Sequence, residues 1–109
     1  MVKLATEVFG DVVVVHAPEE LGRDQAESLQ TNLRALDRQR IVLDLDRTEL
    51  LDSVGLTSLV DLGDELRAQG GELKIAASNP TNRKILEITR LDQVLEVYSS
   101  VLEAVKSFR

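Results

Sequence analysis

The sequence predicts an α/β protein with a small, mixed and mostly parallel sheet. Short apolar runs of strand length alternate with segments whose apolar residues recur at spacings of three and four. A short link joins the first two strands, which makes them an antiparallel hairpin. The later strands are separated by helices of about 10–15 residues, which favours parallel pairing through right-handed crossovers. The predicted order is β-β-α-β-α-β-α-β-α, and we expect one domain over residues 1–109, because domains of roughly 100–150 residues are typical.

The N-terminal elements are predicted from two kinds of apolar pattern. Residues 2–8 alternate between apolar and polar, which indicates a half-buried strand. Residues 12–16 form a β-branched run that ends on His16, which is typical of a strand buried on both faces. Gly10 lies in the turn between them, and Pro18 ends the second strand because it lacks a backbone donor.

Two helices and a strand follow at the spacing expected of a crossover. The first helix carries its apolar face on Ala26, Leu29, Leu33 and Leu36. Residues 41–45 form the third strand. The second helix starts near Asp52 and Ser53, ends at Gly70-Gly71, and has its apolar residues at Leu56, Leu59, Val60, Gly63 and Leu66.

The remaining elements complete the alternation of strand and helix. Residues 73–77 form the fourth strand, and Asn79-Pro80 begins the third helix. That helix has its apolar side on Ile85, Leu86, Ile88 and Leu91. Residues 94–98 form the fifth strand. Ser100 and Glu103 have capping-box spacing before a last helix with an apolar stripe of Val101, Val105 and Phe108.

Composition excludes several classes of function. The chain has no Cys and one histidine, His16, which argues against thiolate chemistry, disulfides, a multi-histidine metal site and a histidine-based triad. With 13 basic and 19 acidic residues, the net charge of −6 argues against general nucleic-acid binding. Phe9, Tyr98 and Phe108 are too few aromatics for a base-stacking platform. We expect no cofactor and no metal ion.

Nothing in the sequence indicates targeting to a membrane. Glu7 interrupts the place where a signal peptide would continue its apolar run, and no stretch approaches the ~20 apolar residues of a membrane helix. The simplest expectation is a soluble cytoplasmic protein. A domain cut from a longer chain would look similar, so that alternative stays open.

The most informative segment is Asp52-Ser53-Val54-Gly55, where the second helix begins. Either Asp52 or Ser53 can cap the free amides of that helix. The same amides and the helix dipole favour an anion, so Ser53 is also a good site for a phosphate. Gly55, lacking a side chain, allows another chain to approach the helix closely. From these residues alone a plain cap is the commonest explanation, and a catalytic serine is weaker because no base accompanies it.

The whole arrangement resembles the STAS domain family, of the anti-sigma factor antagonist type. The resemblance covers nearly the full length and is most specific in Leu51-Asp52-Ser53-Val54-Gly55-Leu56. Supporting features are the opening hairpin, Gly70-Gly71-Glu72-Leu73 before the fourth strand, Asn79-Pro80, and Thr89-Arg90-Leu91-Asp92.

The resemblance implies a bacterial partner-switching regulator that is not itself an enzyme. Ser53 corresponds to the serine that a kinase-type anti-sigma factor phosphorylates in this family. The unphosphorylated domain binds that kinase and releases a sigma factor, phosphorylation breaks the complex, and a phosphatase restores it. The partner-binding surface carried over by position consists of Leu21, Gly22, Arg23, Asp24, Asp52, Ser53, Val54 and Gly55.

Four positions depart from the family pattern, namely Glu19, Gly22, Val54 and Arg90. Glu19-Glu20-Leu21-Gly22 stands where many members have Gly-x-Leu-Asp, with Arg23-Asp24 beside it. Val54 stands where Ser, Thr or Ala is common, and Arg90 where Gly is frequent.

Other polar residues have two interpretations each. Thr57 is a second phosphoacceptor or a solvated hydroxyl, and Arg83-Lys84 receives a phosphate or forms a solvated helix face. Asp44 and Asp46 are cation ligands, solvated groups or turn caps, and two carboxylates without further ligands are weak evidence for a metal site. Two other functions remain alternatives: an accessory subunit of a transport or stress-sensing complex without phosphorylation, and a small ligand-binding or hydrolytic domain.

Overall fold

A computed structural model of the chain describes residues 4–36 and 39–108. Seven strands and four helices lie within these ranges. The strands are β1 (Thr6–Phe9), β2 (Val12–His16), β3 (Glu20–Leu21), β4 (Arg40–Asp44), β5 (Leu50–Leu51), β6 (Glu72–Ala76) and β7 (Glu96–Tyr98). The helices are α1 (Arg23–Ala35), α2 (Ser53–Ala68), α3 (Pro80–Ile88) and α4 (Val101–Ser107), and a 3-10 turn spans Leu91–Gln93.

Five strands form one sheet in the order β1-β2-β4-β6-β7. β1 and β2 pair antiparallel, and every other neighbouring pair is parallel. This confirms the predicted hairpin and the mostly parallel sheet. The sequence did not predict β3 and β5, which pair with each other as a separate two-stranded parallel ladder.

Apolar side chains cover both faces of the sheet, as the continuous run in β2 predicted. Val13 and Val15 face the larger core, which packs against α1, α2 and α3 through residues such as Leu29, Leu59 and Leu86. The opposite face has a smaller core, in which α4 packs through Ala104 against Val12, Val14, Val42 and Ala76. Parallel strands buried on both faces are the arrangement that crossover helices produce.

The observed helix ends confirm the predicted signals. The Asn79 side chain accepts hydrogen bonds from the N–H groups of Thr81 and Asn82, with Pro80 in the first turn of α3. Ser100 accepts from the N–H of Glu103. Gly70 follows α2 with a φ of +85°, a conformation that glycine adopts without steric cost.

The backbone conformation at Arg90 explains why glycine is favoured at this position. It has a φ of +62° and lies between α3 and the 3-10 turn, so a non-glycine residue occupies the left-handed region there.

Three expectations about the outer elements were wrong. All four residues of β1 are exposed, because β1 lies at the sheet edge; Val2, where that strand was predicted to begin, lies outside the described residues. Ile88, predicted on the apolar side of α3, is 68% exposed at the last residue of that helix. The last strand begins at Glu96 instead of residue 94, because Leu91–Gln93 forms the 3-10 turn and Leu95 then packs against Gly63 of α2.

Within the described ranges, no helix is long and apolar enough to span a bilayer.

Candidate functional site

The β3–β5 ladder brings the N-termini of α1 and α2 together. Glu20 pairs with Leu50, and Leu21 pairs with Leu51, so both strands run in the same direction. Each strand leads into a helix within two residues. The N–H of Asp52 donates to the Leu21 carbonyl oxygen over 3.3 Å and extends the ladder to the start of α2. The segment carrying Ser53 therefore lies beside the segment carrying Gly22 and Arg23.

Asp52 caps α2. Its backbone is extended, and its Oδ1 accepts a hydrogen bond from the N–H of Gly55 over 2.9 Å. A carboxylate at this position satisfies a free amide and interacts favourably with the helix dipole. Of the two capping residues that the sequence allowed, the structure selects Asp52.

Ser53 is the first residue of α2, and its side chain is exposed. Its hydroxyl forms no hydrogen bond with the part of the chain that the structure describes. By contrast, the buried Ser58 on the same helix donates its hydroxyl to the Gly55 carbonyl oxygen over 2.6 Å. Because Asp52 performs the capping, the Ser53 hydroxyl is left available for chemistry.

Gly55 is buried against the chain's own backbone. A Cβ on Gly55 would overlap the carbonyl oxygen of Leu21, which is itself 0% exposed. The close approach that Gly55 permits is therefore that of β3 to α2. Leu21 and Gly55, both predicted for the partner surface, are buried, and they hold the two segments together.

Gly22 lies against the Asp52 carboxylate. A Cβ on Gly22 would lie 2.5 Å from Oδ2 of Asp52, so the missing side chain makes room for that oxygen. The N–H of Gly22 donates to Oε1 of Gln25 over 3.1 Å, which satisfies a free amide at the start of α1. The space that the Asp52 carboxylate occupies thus explains why a residue without a side chain stands at position 22.

A groove of about 510 Å³ lies between α1 and α2. It is lined by Arg23, Ala26, Glu27, Gln30, Ser53, Val54, Thr57, Ser58 and Asp61. Arg23 is the one cation among these described lining residues, and its guanidinium forms no hydrogen bond or ion pair within the described ranges. Glu27 and Asp61 carry the opposing charge. An additional negative charge on Ser53 would therefore share its groove with Arg23.

A second groove, of about 460 Å³, continues from Arg23 across the β3–β5 ladder. Asp24 and Asp52 line it, together with Leu50. Leu50 is 61% exposed and Val54 is 37% exposed, so each presents apolar surface in one of the two grooves. Leu50 was not among the residues predicted for this surface, although it lies only two residues before Asp52.

Of the predicted surface, the structure places Arg23, Asp24, Asp52, Ser53 and Val54 on the exterior. They line the two grooves, which share Arg23.

The other polar residues of interest are engaged within the fold. Thr57 donates its hydroxyl to the Ser53 carbonyl oxygen over 2.8 Å. The Arg83 guanidinium donates to the Ala77 carbonyl and to the Ser99 hydroxyl, and Arg83 does not line the Ser53 groove.

Asp44 and Asp46 perform separate structural tasks. Asp44 is buried and bonds to His16, whereas Asp46 accepts from the N–H and the hydroxyl of Ser78. No group of acidic and histidine side chains in the described residues could hold a metal ion.

The sequence from residue 3 to residue 104 matches the family described as STAS domain. The chain belongs to the STAS domain family, as its fold and its Asp-Ser helix start indicated.

Its relatives include proteins named for one regulatory role. The Bordetella bronchiseptica protein named "Putative anti-sigma factor antagonist BtrV" is 27% identical over 110 residues, covering 98% of this chain and 95% of that protein. An anti-sigma factor antagonist from Mycobacterium paratuberculosis has a crystal structure with a TM-score of 0.85 at 25% identity, covering 96% of this chain and 92% of that one.

The fold is also that of the Bacillus protein SpoIIAA. Its unphosphorylated form has a TM-score of 0.76 at 20% identity, covering 95% of this chain and 94% of that one. Its phosphorylated form has a TM-score of 0.69 at 22% identity, covering 97% and 99%. These structures show that the fold of this chain matches that of SpoIIAA.

Proposed function

We propose that this chain is an anti-sigma factor antagonist that binds a kinase-type anti-sigma factor through the surface around Ser53. Phosphorylation of Ser53 ends the binding, and a phosphatase restores it. The chain is a binding module and a kinase substrate, and it performs no catalytic step itself. Because the cycle consumes ATP and controls a sigma factor, it operates in the cytoplasm of a bacterium.

The observation that supports this proposal is that Asp52, and not Ser53, caps α2. Asp52 caps α2 through the N–H of Gly55, while the Ser53 hydroxyl is exposed and has no hydrogen bond within the described residues. Since the helix does not need that hydroxyl, a phosphate can be added without removing a contact of the fold. A serine that served only as a cap would be bonded to an amide.

A phosphate on Ser53 changes the surface that the partner meets. It adds a charge of about −1.5 to −2 and bulk in the groove that Val54 lines, while the exposed Leu50 lines the adjoining groove. A partner that covers those two side chains would have to desolvate the phosphate beside the Asp52 carboxylate, which is unfavourable. The free helix amides and Arg23 favour the phosphate within the chain itself. The phosphorylated state is therefore compatible with the fold and incompatible with the docked partner.

The proposed reaction transfers the γ-phosphoryl group of ATP from the kinase to the Ser53 hydroxyl oxygen. The bond from the γ-phosphorus to the ADP oxygen breaks as the bond to Oγ forms, and a base of the kinase takes the hydroxyl proton. In the reverse half of the cycle, water hydrolyses the phosphate ester on the phosphatase. ATP and the catalytic groups belong to those partners.

The proposal is tested by incubating the chain with ATP and each candidate anti-sigma kinase from the source genome, followed by intact mass and peptide mapping. We expect one added phosphate on Ser53, and none on Ser53→Ala. Thr57→Ala is the matched control, because Thr57 lies one turn further in the same groove. Phosphate on Thr57 in place of Ser53, or none with any candidate kinase, would contradict the proposal.

A further inference from the structure

A buried polar residue of α3 contacts the chain segment that leads to Ser53. Asn82 is 1% exposed, and its side-chain nitrogen lies 3.0 Å from the Leu45 carbonyl oxygen and 2.8 Å from the Thr48 carbonyl oxygen. Both partners can only accept, so the NH₂ group of the carboxamide must face them. Asn82 therefore holds both ends of the turn that follows β4.

The same turn is fixed to the connection between β2 and β3. Thr48 is 0% exposed and donates its hydroxyl to the Pro18 carbonyl oxygen over 2.8 Å. The next two N–H groups, of Glu49 and Leu50, donate to the Glu19 carbonyl oxygen over 2.7 and 3.1 Å. The contacts of Asn82 thus continue directly into the start of the β3–β5 ladder.

The β3–β5 ladder connects this fixed turn to the candidate site. The N–H of Asp52 donates to the Leu21 carbonyl oxygen, and the N–H of Gly55 donates to the Asp52 carboxylate. Ser53 lies between these two anchored residues. The path from Asn82 to Ser53 is a continuous series of hydrogen bonds and short chain segments.

We infer that Asn82 is a positioning residue that fixes the segment 45–52 and thereby the orientation of Ser53. Its importance for regulation rests on the function proposed above, whereas its effect on the segment does not. Removing the carboxamide leaves the Thr48 carbonyl in a buried place without this donor, and a buried unpaired carbonyl favours opening of the turn toward water. The segment would then open locally while the sheet stays folded.

Amide hydrogen exchange, followed by NMR on the full chain without any partner, tests the inference. In Asn82→Ala we expect the amides of Glu49, Leu50, Asp52 and Gly55 to exchange at least about tenfold faster, because even one of the two lost buried bonds shifts an opening equilibrium by that order. The amides of β4 should change less. Alanine is a good helix former, so α3 itself is not weakened by the substitution.

Leu86→Ala is the matched control. Leu86 lies on the same helix, is equally buried and forms no hydrogen bond through its side chain. Leu86→Ala should lower the free energy of unfolding because it leaves a cavity in the core. It should not selectively reduce the protection of the amides in segment 48–55 from exchange. Thr48→Val, which keeps the shape and removes the bond to Pro18, should reproduce the selective effect of Asn82→Ala. This variant keeps the test decisive if Asn82→Ala does not fold.

Equal acceleration of all amides in Asn82→Ala, or none in segment 48–55, would overturn the inference. The measurement needs no kinase. A failure to phosphorylate Ser53 would therefore contradict the proposed function alone, and unchanged exchange would contradict the role of Asn82 alone.

Discussion

The Nδ1 of His16 lies 2.7 Å from Oδ2 of Asp44, and this pair links the carboxyl ends of β2 and β4. The other ring nitrogen, Nε2, lies 2.7 Å from Oε1 of Glu7 in β1. A neutral imidazole has one N–H and can donate to only one of these carboxylates, whereas the protonated ring donates to both. Burial lowers the pKa of His16, but the hydrogen bonds and charges of Glu7 and Asp44 outweigh it and raise the pKa above its usual value.

His16 should make the stability of the protein depend on pH. A pKa raised in the folded state contributes stability that is fully present below the unfolded pKa of about 6.5 and is lost as the pH rises through the folded value. We therefore expect His16→Gln to reduce the free energy of unfolding more at pH 5.5 than at pH 9, measured by urea denaturation. Glu7→Gln, which removes one of the two partners, should show a smaller difference of the same sign. An equal loss at both pH values would refute this role.

Gly55 and Gly63 lie on the same helix, but we expect an added methyl group to reduce the free energy of unfolding by different amounts at the two positions. In Gly55→Ala the new Cβ meets the Leu21 backbone oxygen, which cannot move without shifting β3. In Gly63→Ala it meets Cδ2 of Leu95, the far end of a flexible side chain. We expect Gly55→Ala to destabilise by about 2 kcal/mol or more and Gly63→Ala by less than about 1 kcal/mol, since alanine also favours the helix. Urea unfolding of both variants measures the two losses of free energy of unfolding. A larger loss in Gly63→Ala would show that β3 can shift away from α2 at little energetic cost.

Asp52 should contribute to stability through its cap. Asp52→Ala removes the acceptor for the N–H of Gly55 and should cost about 1 kcal/mol. Asp52→Asn keeps an oxygen in the same place and should cost only a few tenths of that amount, by the ranking of N-cap residues. Thermal unfolding at matched pH distinguishes the two variants. An equal loss in both would mean that the charge of Asp52 matters and its hydrogen bond does not.

Arg23 should interact with a phosphate on Ser53, because it is the one cation among the described residues lining their shared groove. In the chain with phosphoserine at position 53, we expect Arg23→Gln to raise the second pKa of the phosphate by roughly 0.2 to 0.5, as for an exposed ion pair. A ³¹P NMR titration measures this value. Arg34→Gln is the control, because Arg34 bonds to Glu65 and lies outside the groove. Equal phosphate pKa values in the phosphorylated chain with Arg23 and in phosphorylated Arg23→Gln would exclude the contact.

Most of the main sheet and the four helices could be predicted, because the buried strands are continuous apolar runs and the helices repeat apolar residues at spacings of three and four. Residues 12–16 and 41–45 are long enough to read as buried strands, and Asn79 and Ser100 cap their helices as expected. The strands β3 and β5 could not be found in this way. Each has two residues, and two residues show no period.

Only part of the candidate site could be predicted, because some of its residues follow local sequence preferences and others meet only through the packing of distant elements. Asp52 and Ser53 follow cap preferences that act locally. The contact between Gly55 and Leu21, the groove position of Arg23 and the bonds of Asn82 join residues far apart in the chain. Such contacts depend on how the elements pack, and no local pattern specifies them.

The central claim is that phosphate on Ser53 ends the binding of the anti-sigma kinase. Its most direct test is titration calorimetry of that kinase with the unphosphorylated chain, the Ser53-phosphorylated chain, Ser53→Ala and Ser53→Asp. We predict that the unphosphorylated chain and Ser53→Ala bind alike, whereas the phosphorylated chain and Ser53→Asp bind at least about tenfold more weakly, a difference of about 1.4 kcal/mol. Equal dissociation constants for all four forms would contradict the account.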